Sequence, residues 1–443
     1  MKKLRVFFAV LICKTIRFMA KLLGRGSSLP GAITLKLFPS ILSDIKLPET
    51  IIAVTGSNGK TSTVEMIANV IEKSGKTVAY NKEGSNQIEG VTTLILSDCT
   101  LSGKMRSEIL LLESDERYAR HTFKYFHPTY YVITNLYRDQ LTRNGHPEWV
   151  YNVISESIYD DMTLVLNADD PLVSRFGYKR DKVRYFGANH LDSDTTVNDS
   201  IYNDGAYCPV CKQPMKYDYY HYNHIGSYHC TSCDYKRPET DWSLTEANLE
   251  KGYITIDDKY KIELSFTSIY HCYNTLAAFA ACDLAGVDRN IIARELSNYS
   301  LHSGRIQKFV IGNTKGTLLA SKHENSISYD RSIDVAIKDA ENVNVMIIVD
   351  AVSRKYFTSE TSWLWDIDFE KLKNVNEIVL AGRYCYDLAA RFEFTETDNN
   401  KIKLFVSIPE AVDYLKQSGK YLYVITCFSD MNKFLTLADK LEV

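Results

Sequence analysis

Thr55-Gly56-Ser57-Asn58-Gly59-Lys60-Thr61-Ser62 gathers the residue types that hold a polyphosphate. Two glycines let the backbone turn so that its N–H groups face an anion, and a helix starting beside Lys60 adds the positive end of its dipole. In such a cradle Lys60 reaches the outer phosphates and the Thr61 hydroxyl faces Mg²⁺. The common phosphate loop has a further glycine where Val54 stands, so the form here is a shorter variant. A lone Gly-Lys-Thr would be no more than a capped helix start. The apolar run at 51–54 before it and the helix-forming residues 61–72 after it favour nucleotide binding instead.

A second group is Cys208-Pro-Val-Cys211 and Cys230-Thr-Ser-Cys233, eighteen residues apart. Two such knuckles present four thiolates tetrahedrally, the donor set of a closed structural zinc site. A redox dithiol or four unrelated buried cysteines would use the same residue type, but the paired spacing favours zinc. His221, His224 and His229 are near enough to ligate, although four sulfurs already complete a set. With no open coordination position the metal is expected to be structural. Its loss should unfold the insertion more than it alters the nucleotide loop.

These groups need elements to position them. Strand-like runs at 51–54, 77–80, 108–112, 130–134, 163–166 and 183–186 alternate with helical patterns, notably 61–74 and 147–159. That alternation predicts parallel strands with crossover helices, whose ligands bind beyond the strand C-termini. Polar, tyrosine-rich text at 189–241 interrupts the rhythm, which resumes near Tyr253 and reaches a helix at 273–285. Strands at 343–349, 377–380, 402–406 and 421–426 predict a second α/β unit. The expected organisation is an N-terminal helical segment (1–48), a central domain (49–304) with a ribbon inserted at about 200–240, and a C-terminal Rossmann-like α/β domain (305–443).

With 443 residues and a net charge of −3, the chain is long enough for two or three cores and offers no electrostatic case for nucleic acid. Six of its ten cysteines are scattered singly, which suits a reducing, cytoplasmic compartment. Lys2, Lys3 and Arg5 precede an apolar run at 6–13 that is too short to span a bilayer and leads to no small-residue cleavage site. The segment reads as a basic amphipathic helix packed on the first domain, with contact to an anionic membrane surface as the alternative.

The loop resembles that of the Mur ligases and folylpolyglutamate synthases. Thr134-Asn135-Leu136 with Arg138-Asp139 and Leu141, Asn167-Ala168-Asp169-Asp170-Pro171, and Gly304-Arg305 are similar to three more Mur ligase motifs. A zinc ribbon in the middle domain resembles the amidating branch of that family, as do Leu29-Pro30-Gly31, Asn81-Lys82-Glu83-Gly84-Ser85-Asn86, His221-Tyr222-Asn223 and Thr361-Ser362-Trp363. The resemblance implies a Mur ligase-like fold. It also implies an ATP-dependent carbon–nitrogen ligase that amidates the D-glutamate α-carboxylate of lipid II through an acyl phosphate, with a glutaminase subunit supplying ammonia.

By that resemblance Thr55, Gly56, Asn58, Gly59, Lys60, Thr61, Ser62 and Asn135 form the ATP cradle, and Asn274 and Arg305 address nucleoside and phosphate. Thr61 and Glu113 hold Mg²⁺, with Asp115 or Glu116 as alternatives to Glu113, while Cys208, Cys211, Cys230 and Cys233 hold zinc. Gln140 stands in place of a metal-binding His, and no lysine occurs near Ile154. Both departures favour the amidating branch. Within that branch, Ser268–Asn274, His323-Glu324-Asn325-Ser326 and Phe357-Thr358-Ser359-Glu360 depart from the usual text. Glu360 stands where an aspartate would complete the partner's Cys–His–Asp triad, and a helix cap is its plainer role. A divergent paralogue acting on another carboxylate, or a nucleotide-binding regulatory subunit, are the alternatives.

Overall fold

The apolar run before the glycine turn forms β1 (Thr50–Thr55), an interior strand of a nine-stranded sheet. The computed structural model describes residues 2–22, 28–81, 85–138, 145–198, 200–300, 306–321, 325–351 and 360–440. The backbone divides into two units. The first comprises Met1–Tyr137, Pro147–Asp199 and Asn203–Leu301, and the second Arg138–His146, Ser200–Tyr202 and His302–Val443.

In the first unit β2 (Val78–Tyr80), β3 (Ile109–Glu113), β4 (Tyr130–Ile133), β5 (Thr163–Asn167) and β6 (Val183–Ala188) are all parallel with β1, in the order β6-β5-β4-β1-β3-β2. Ile52, Ala53 and Val54 are fully buried, as a strand covered on both faces requires. Burying a side chain the size of Ile52 contributes about 1.5–3 kcal/mol. The chain leaves β1 for β2 and β3 on one side and then crosses to β4 on the other. The chain therefore leaves β1 and β4 toward opposite sides of the sheet order, the switch point beside which ligands of such sheets bind.

A hairpin of β7 (Met215–Tyr222) and β8 (Ile225–Cys230) stands apart as a two-stranded sheet. After it, β9 (Trp242–Asn248) joins β6 in parallel, and β10 (Tyr253–Ile256) and β11 (Tyr260–Glu263) continue the large sheet antiparallel. The pattern that resumes near Tyr253 is thus an antiparallel edge rather than another crossover unit. These strands are short and alternate in burial, so they lack the continuous apolar runs by which buried parallel strands announce themselves.

Helices of this unit are α1 (Lys2–Leu22), α2 (Leu29–Leu37), α3 (Lys60–Lys73), α4 (Ile88–Asp98), α5 (Ala119–Phe123), α6 (Pro147–Ser155), α7 (Pro171–Ser174), α8 (Ile269–Leu284) and α9 (Arg289–Ser297). Helix α3 buries Val64, Ile67, Ala68 and Ile71 at helical spacing, and its neighbour α8 is buried almost throughout. Val6, Ala9, Val10 and Cys13 of α1 join the same core as Ile51, Ala53 and Leu110.

The second unit holds a seven-stranded sheet of β12 (Ile306–Ile311), β13 (Thr314–Ser321), β14 (Val343–Ile348), β15 (Glu377–Ala381), β16 (Ile402–Phe405), β17 (Tyr421–Cys427) and β18 (Asp439–Lys440). Its order is β16-β15-β14-β17-β13-β12-β18. The four strands legible in the sequence form the contiguous parallel run β16-β15-β14-β17. β13 extends it in parallel and the β12–β13 hairpin turns it antiparallel.

Candidate functional site

Gly56 (φ 134°) and Gly59 (φ 83°) take backbone conformations that strain other residues. Space forbids a side chain as well: a Cβ at Gly56 would collide with Thr134 Oγ1, and one at Gly59 with the Asn274 amide on α8. Lys60 opens α3, Thr61 is exposed in its first turn with Ser62 beside it, and the Thr63 N–H donates to the Gly59 carbonyl (2.9 Å).

The segment after β4 fixes the loop's shape. Asn135 Oδ1 accepts the Asn58 N–H (2.8 Å) and its Nδ2 donates back to the Asn58 carbonyl (3.0 Å), which Thr134 Oγ1 also reaches (3.0 Å). The Ser57 N–H donates to the Asn135 carbonyl (2.9 Å), and Ser57 Oγ bridges the Tyr137 carbonyl (3.1 Å) and N–H (2.9 Å). Asn135, assigned by resemblance to the nucleotide, is here a brace of the loop. Thr55 is fully buried at the end of β1.

Lys60 Nζ forms an ion pair with Glu116 and a hydrogen bond to the Gly56 carbonyl. Glu116 is only 3% exposed, so the lysine compensates a carboxylate that could not otherwise be buried. Glu113 ends β3, half-buried and in register with Val54, and Asp115 Oδ1 accepts the Arg117 N–H (3.0 Å). One acid thus ends β3 and two follow it, and Glu116 is the one that meets Lys60.

The Asn167–Pro171 motif is a buried polar hub. Asn167 Nδ2 donates to the Thr134 carbonyl (3.1 Å), and Asp170 Oδ2 accepts the Leu136 N–H (2.9 Å) while Oδ1 caps α7 through Leu172 and Val173. Asp169 Oδ1 accepts from Arg237 Nε (2.6 Å), and its Oδ2 from the Tyr273 hydroxyl (2.6 Å) and the Ala188 N–H (2.6 Å). Burial opposes the charge on Arg237, but the Asp169 carboxylate overrides it and raises the guanidinium pKa. Burial also lifts the Tyr273 phenol well above its ordinary range, with Asp169 adding to the effect, so it remains a proton donor.

Cys208, Cys211, Cys230 and Cys233 come together with every Sγ within 4.8 Å of the others. Sγ–Sγ distances are 3.7 Å for Cys208–Cys233 and 3.4 Å for Cys211–Cys230. Sulfurs at about 2.3 Å around a tetrahedral zinc would lie roughly 3.8 Å apart, so the donor set fits that ion with a small expansion. The histidines serve elsewhere. His221 Nδ1 lies 2.6 Å from Asp194, and His224 Nε2 lies 3.6 Å from Asp170.

The ribbon is not remote from the loop. The tip of its hairpin places the Tyr222 hydroxyl 3.0 Å from that of Tyr137, whose backbone holds Ser57. The His224 ring lies 5.3 Å from the Tyr137 ring, and Tyr222 packs edge-on against Tyr270 and Tyr273 of α8. This bridge is the route by which metal loss, expected to unfold the insertion more than it alters the loop, would reach the loop at all. Tyr137 and Arg237 carried no local signal, because their partners are brought near only by folding.

In the second unit Glu360 is exposed and its Oε1 accepts the Ser362 N–H (2.8 Å), which holds its carboxyl below the usual range. Thr361 Oγ1 donates to Asp387 (2.8 Å), and Trp363 is buried against Tyr329. Glu360 is thus an exposed carboxylate tied to the backbone two residues on. Asp139, Gln140, Leu141, Lys82–Gly84, Gly304, Arg305, His323, Glu324 and Phe357–Ser359 lie outside the described residues.

The family model for the Mur ligase middle domain matches residues 54–282, about half of the chain. The chain belongs to the Mur ligase family. A second model, MurT ligase C-terminal, matches residues 323–431. Among curated relatives, the MurT subunit of lipid II isoglutaminyl synthase (glutamine-hydrolyzing) from Streptococcus pneumoniae is 29% identical over 98% of this chain and 97% of its own. The same subunit from Staphylococcus aureus is 29% identical over 89% of each. Solved structures sharing the fold include a pseudomurein peptide ligase type C from Methanothermus fervidus (TM-score 0.70, 20% identity, 90% of this chain and 80% of that one). MurF from Thermotoga maritima, solved with ADP, is another (TM-score 0.59, 15% identity, 91% and 83%).

In this Mur ligase family member Asp169 alone ties Arg237 beyond the hairpin, Tyr273 of α8 and the end of β6 together, and that sets a test. Asp169→Asn removes the charge opposite Arg237 and should lower stability by about 3–5 kcal/mol. Tyr273→Phe, which loses one hydrogen bond, should cost about 1–1.5 kcal/mol. Urea unfolding of the two variants against the parent measures both.

Proposed function

We propose that the chain is a MurT-type synthetase subunit that amidates the α-carboxylate of D-glutamate in lipid II, paired as a heterodimer with a GatD-type glutaminase. The observation that carries this reading is the braced Gly56–Thr61 cradle opening α3, in a chain related along nearly its whole length to MurT subunits. The acceptor is carried by a lipid, so the protein would act in the cytoplasm at the inner face of the membrane.

In the proposed reaction a carboxylate oxygen attacks the γ-phosphorus of ATP, the bond to the β-phosphate oxygen breaks, and ADP leaves. Ammonia then attacks the acyl carbon, phosphate departs and a proton is lost, leaving D-isoglutamine. Phosphoryl transfer of this kind depends mainly on positioning and charge neutralisation. The backbone of Gly56 and Gly59, shaped by Thr55, Asn58, Ser62 and Asn135, would cradle the phosphates while Lys60 turns from Glu116 toward their oxygens. Asn274, already against Gly59, and Arg305 would address the rest of the nucleotide. Thr61 with Glu113, or with Asp115 or Glu116, would hold Mg²⁺. The bound ion supplies positive charge to the phosphate oxygens. Zinc would sit in the four-cysteine cluster and set the ribbon's shape.

Three outcomes test this. Lys60→Ala and Thr61→Ala should each lower ATP-dependent isoglutamine formation at least about a hundredfold, with circular dichroism unchanged. Unchanged Mg·ATP affinity by calorimetry in both variants would remove the assignment.

Elemental analysis should find one zinc per chain, lost in the Cys208→Ser/Cys233→Ser double variant. Because the hairpin tip leans on Tyr137, that variant should also raise the KM for ATP several-fold.

Glu360→Gln should reduce glutamine-fed turnover at least about tenfold yet spare turnover fed with ammonia, which bypasses the partner's nucleophile and its histidine. Equal loss in both assays would leave Glu360 as a cap.

A further inference from the structure

Helix α1 is apolar on two sides. Val6, Ala9, Val10, Cys13 and Ala20 are buried in the first unit. Leu4, Phe7, Phe8, Leu11, Phe18 and Met19 are 36–70% exposed and follow the helical period along a separate stripe. Helix α2, which packs beside α1, repeats the arrangement: Pro30, Gly31 and Thr34 are buried, while Leu29, Ile33 and Leu37, four residues apart, are exposed. Leu101 is exposed too, in the turn whose Gly103 lies against Val6. Single exposed leucines are ordinary; a concentration of aromatic and aliphatic side chains on two adjacent helices marks an interaction surface.

The charge on α1 says what covers it. The helix carries Lys2, Lys3, Arg5, Lys14, Arg17 and Lys21 and no acidic residue, in a chain of net charge −3. Part of that charge is used internally: Lys14 Nζ donates to the Cys99 carbonyl, and Lys2 and Arg5 lie 3.1 and 3.2 Å from Asp44. Lys3, Lys21 and, on α2, Lys36 are exposed. Exposed phenylalanines flanked only by cations match a medium that is anionic outside and apolar a few ångströms within, which is the headgroup region of an anionic bilayer. Lysine stems reach headgroup phosphates while the rings sink below them. No helix among the described residues is long and apolar enough to cross a membrane, so α1 would lie along the surface.

We propose that α1 and α2 form a docking face for anionic phospholipid bilayers, with Phe7, Phe8, Phe18 and Met19 entering the interface and Lys3, Lys21 and Lys36 contacting headgroups. Two weak signals act together here, apolar insertion and electrostatic attraction, which suits reversible attachment. The inference stands on the helix surface alone and is independent of the acceptor proposed above.

The test uses the full-length chain and vesicles without lipid II, so its result is separate from that of the ligase assay. Sedimentation with phosphatidylglycerol-containing vesicles should show binding at least about tenfold stronger than with pure phosphatidylcholine, weakening as salt rises. Phe8→Ser plus Phe18→Ser should reduce binding to anionic vesicles about tenfold or more with an unchanged melting temperature, since both side chains are exposed. Lys3→Gln plus Lys21→Gln should lower binding to anionic vesicles and leave the weak binding to neutral ones as it was. The proposal is overturned if the parent chain does not sediment with anionic vesicles, or if the phenylalanine variant binds as the parent does. It is equally overturned if light scattering without vesicles shows a dimer that the phenylalanine changes abolish, because the face would then belong to a second copy.

Discussion

Two adjacent carboxylates buried in the first unit, Asp169 and Asp170, constrain everything around them. Neither is exposed, and an uncompensated ion there would cost several kcal/mol. Compensation has to come from several directions. For Asp170 it is the backbone of Leu136, Leu172 and Val173; for Asp169 it is Arg237, Tyr273 and the Ala188 N–H. Those donors lie on the segment after β4, on α7, after β8, on α8 and at the end of β6. Folding that buries this pair therefore brings together the elements that surround the phosphate cradle. The motif reads in the sequence as a family signature, but its physical work is to fix where the loop's neighbours stand.

The same logic explains which parts of the site were legible. Gly56, Gly59 and Lys60 announce themselves because their chemistry is local: a strand, a left-handed turn and a helix start within a dozen residues. Most of the parallel strands, though not β9 or β13, were equally plain, since continuous apolar runs such as residues 109–112 suit nothing else so well. Tyr137, Arg237 and the pairing of Lys60 with Glu116 were not legible. Arg237 meets Asp169 across 68 residues, and Tyr273 meets it across 104. Choosing Glu116 over Glu113 depends on how the chain turns after β3, which no spacing rule supplies. The antiparallel strands β10, β11 and β12 escaped because short strands that alternate in burial resemble ordinary polar text.

Asn135, one of the residues the family resemblance points to, is engaged by the loop itself. Its amide pairs with both the N–H and the carbonyl of Asn58, using a donor and an acceptor in one contact. A loop meant to present N–H groups to phosphates must first have its remaining groups satisfied, or it would collapse onto itself. Thr134, Asn135 and Ser57 meet that requirement from the side away from α3. The Asn274 amide lies against Gly59, so a methyl group there would have to push it aside.

The inserted ribbon then has a mechanical meaning. A two-stranded hairpin is marginal by itself in water and needs anchoring at its ends. In β7–β8 the register sets Met215 opposite Cys230 at one end and Tyr222 opposite Ile225 at the other. The cysteine cluster closes the first end. At the second, Tyr222 meets Tyr137, and the Gly226 N–H donates to the Asp169 carbonyl (2.9 Å). The hairpin, whose register shifts between Tyr217 and Tyr219 and again between Tyr220 and Tyr222, is thus held at both ends. The four cysteines therefore need no chemistry of their own to matter to the loop: by closing the base of the hairpin they position the tyrosine that backs Tyr137, and Tyr137 in turn holds Ser57.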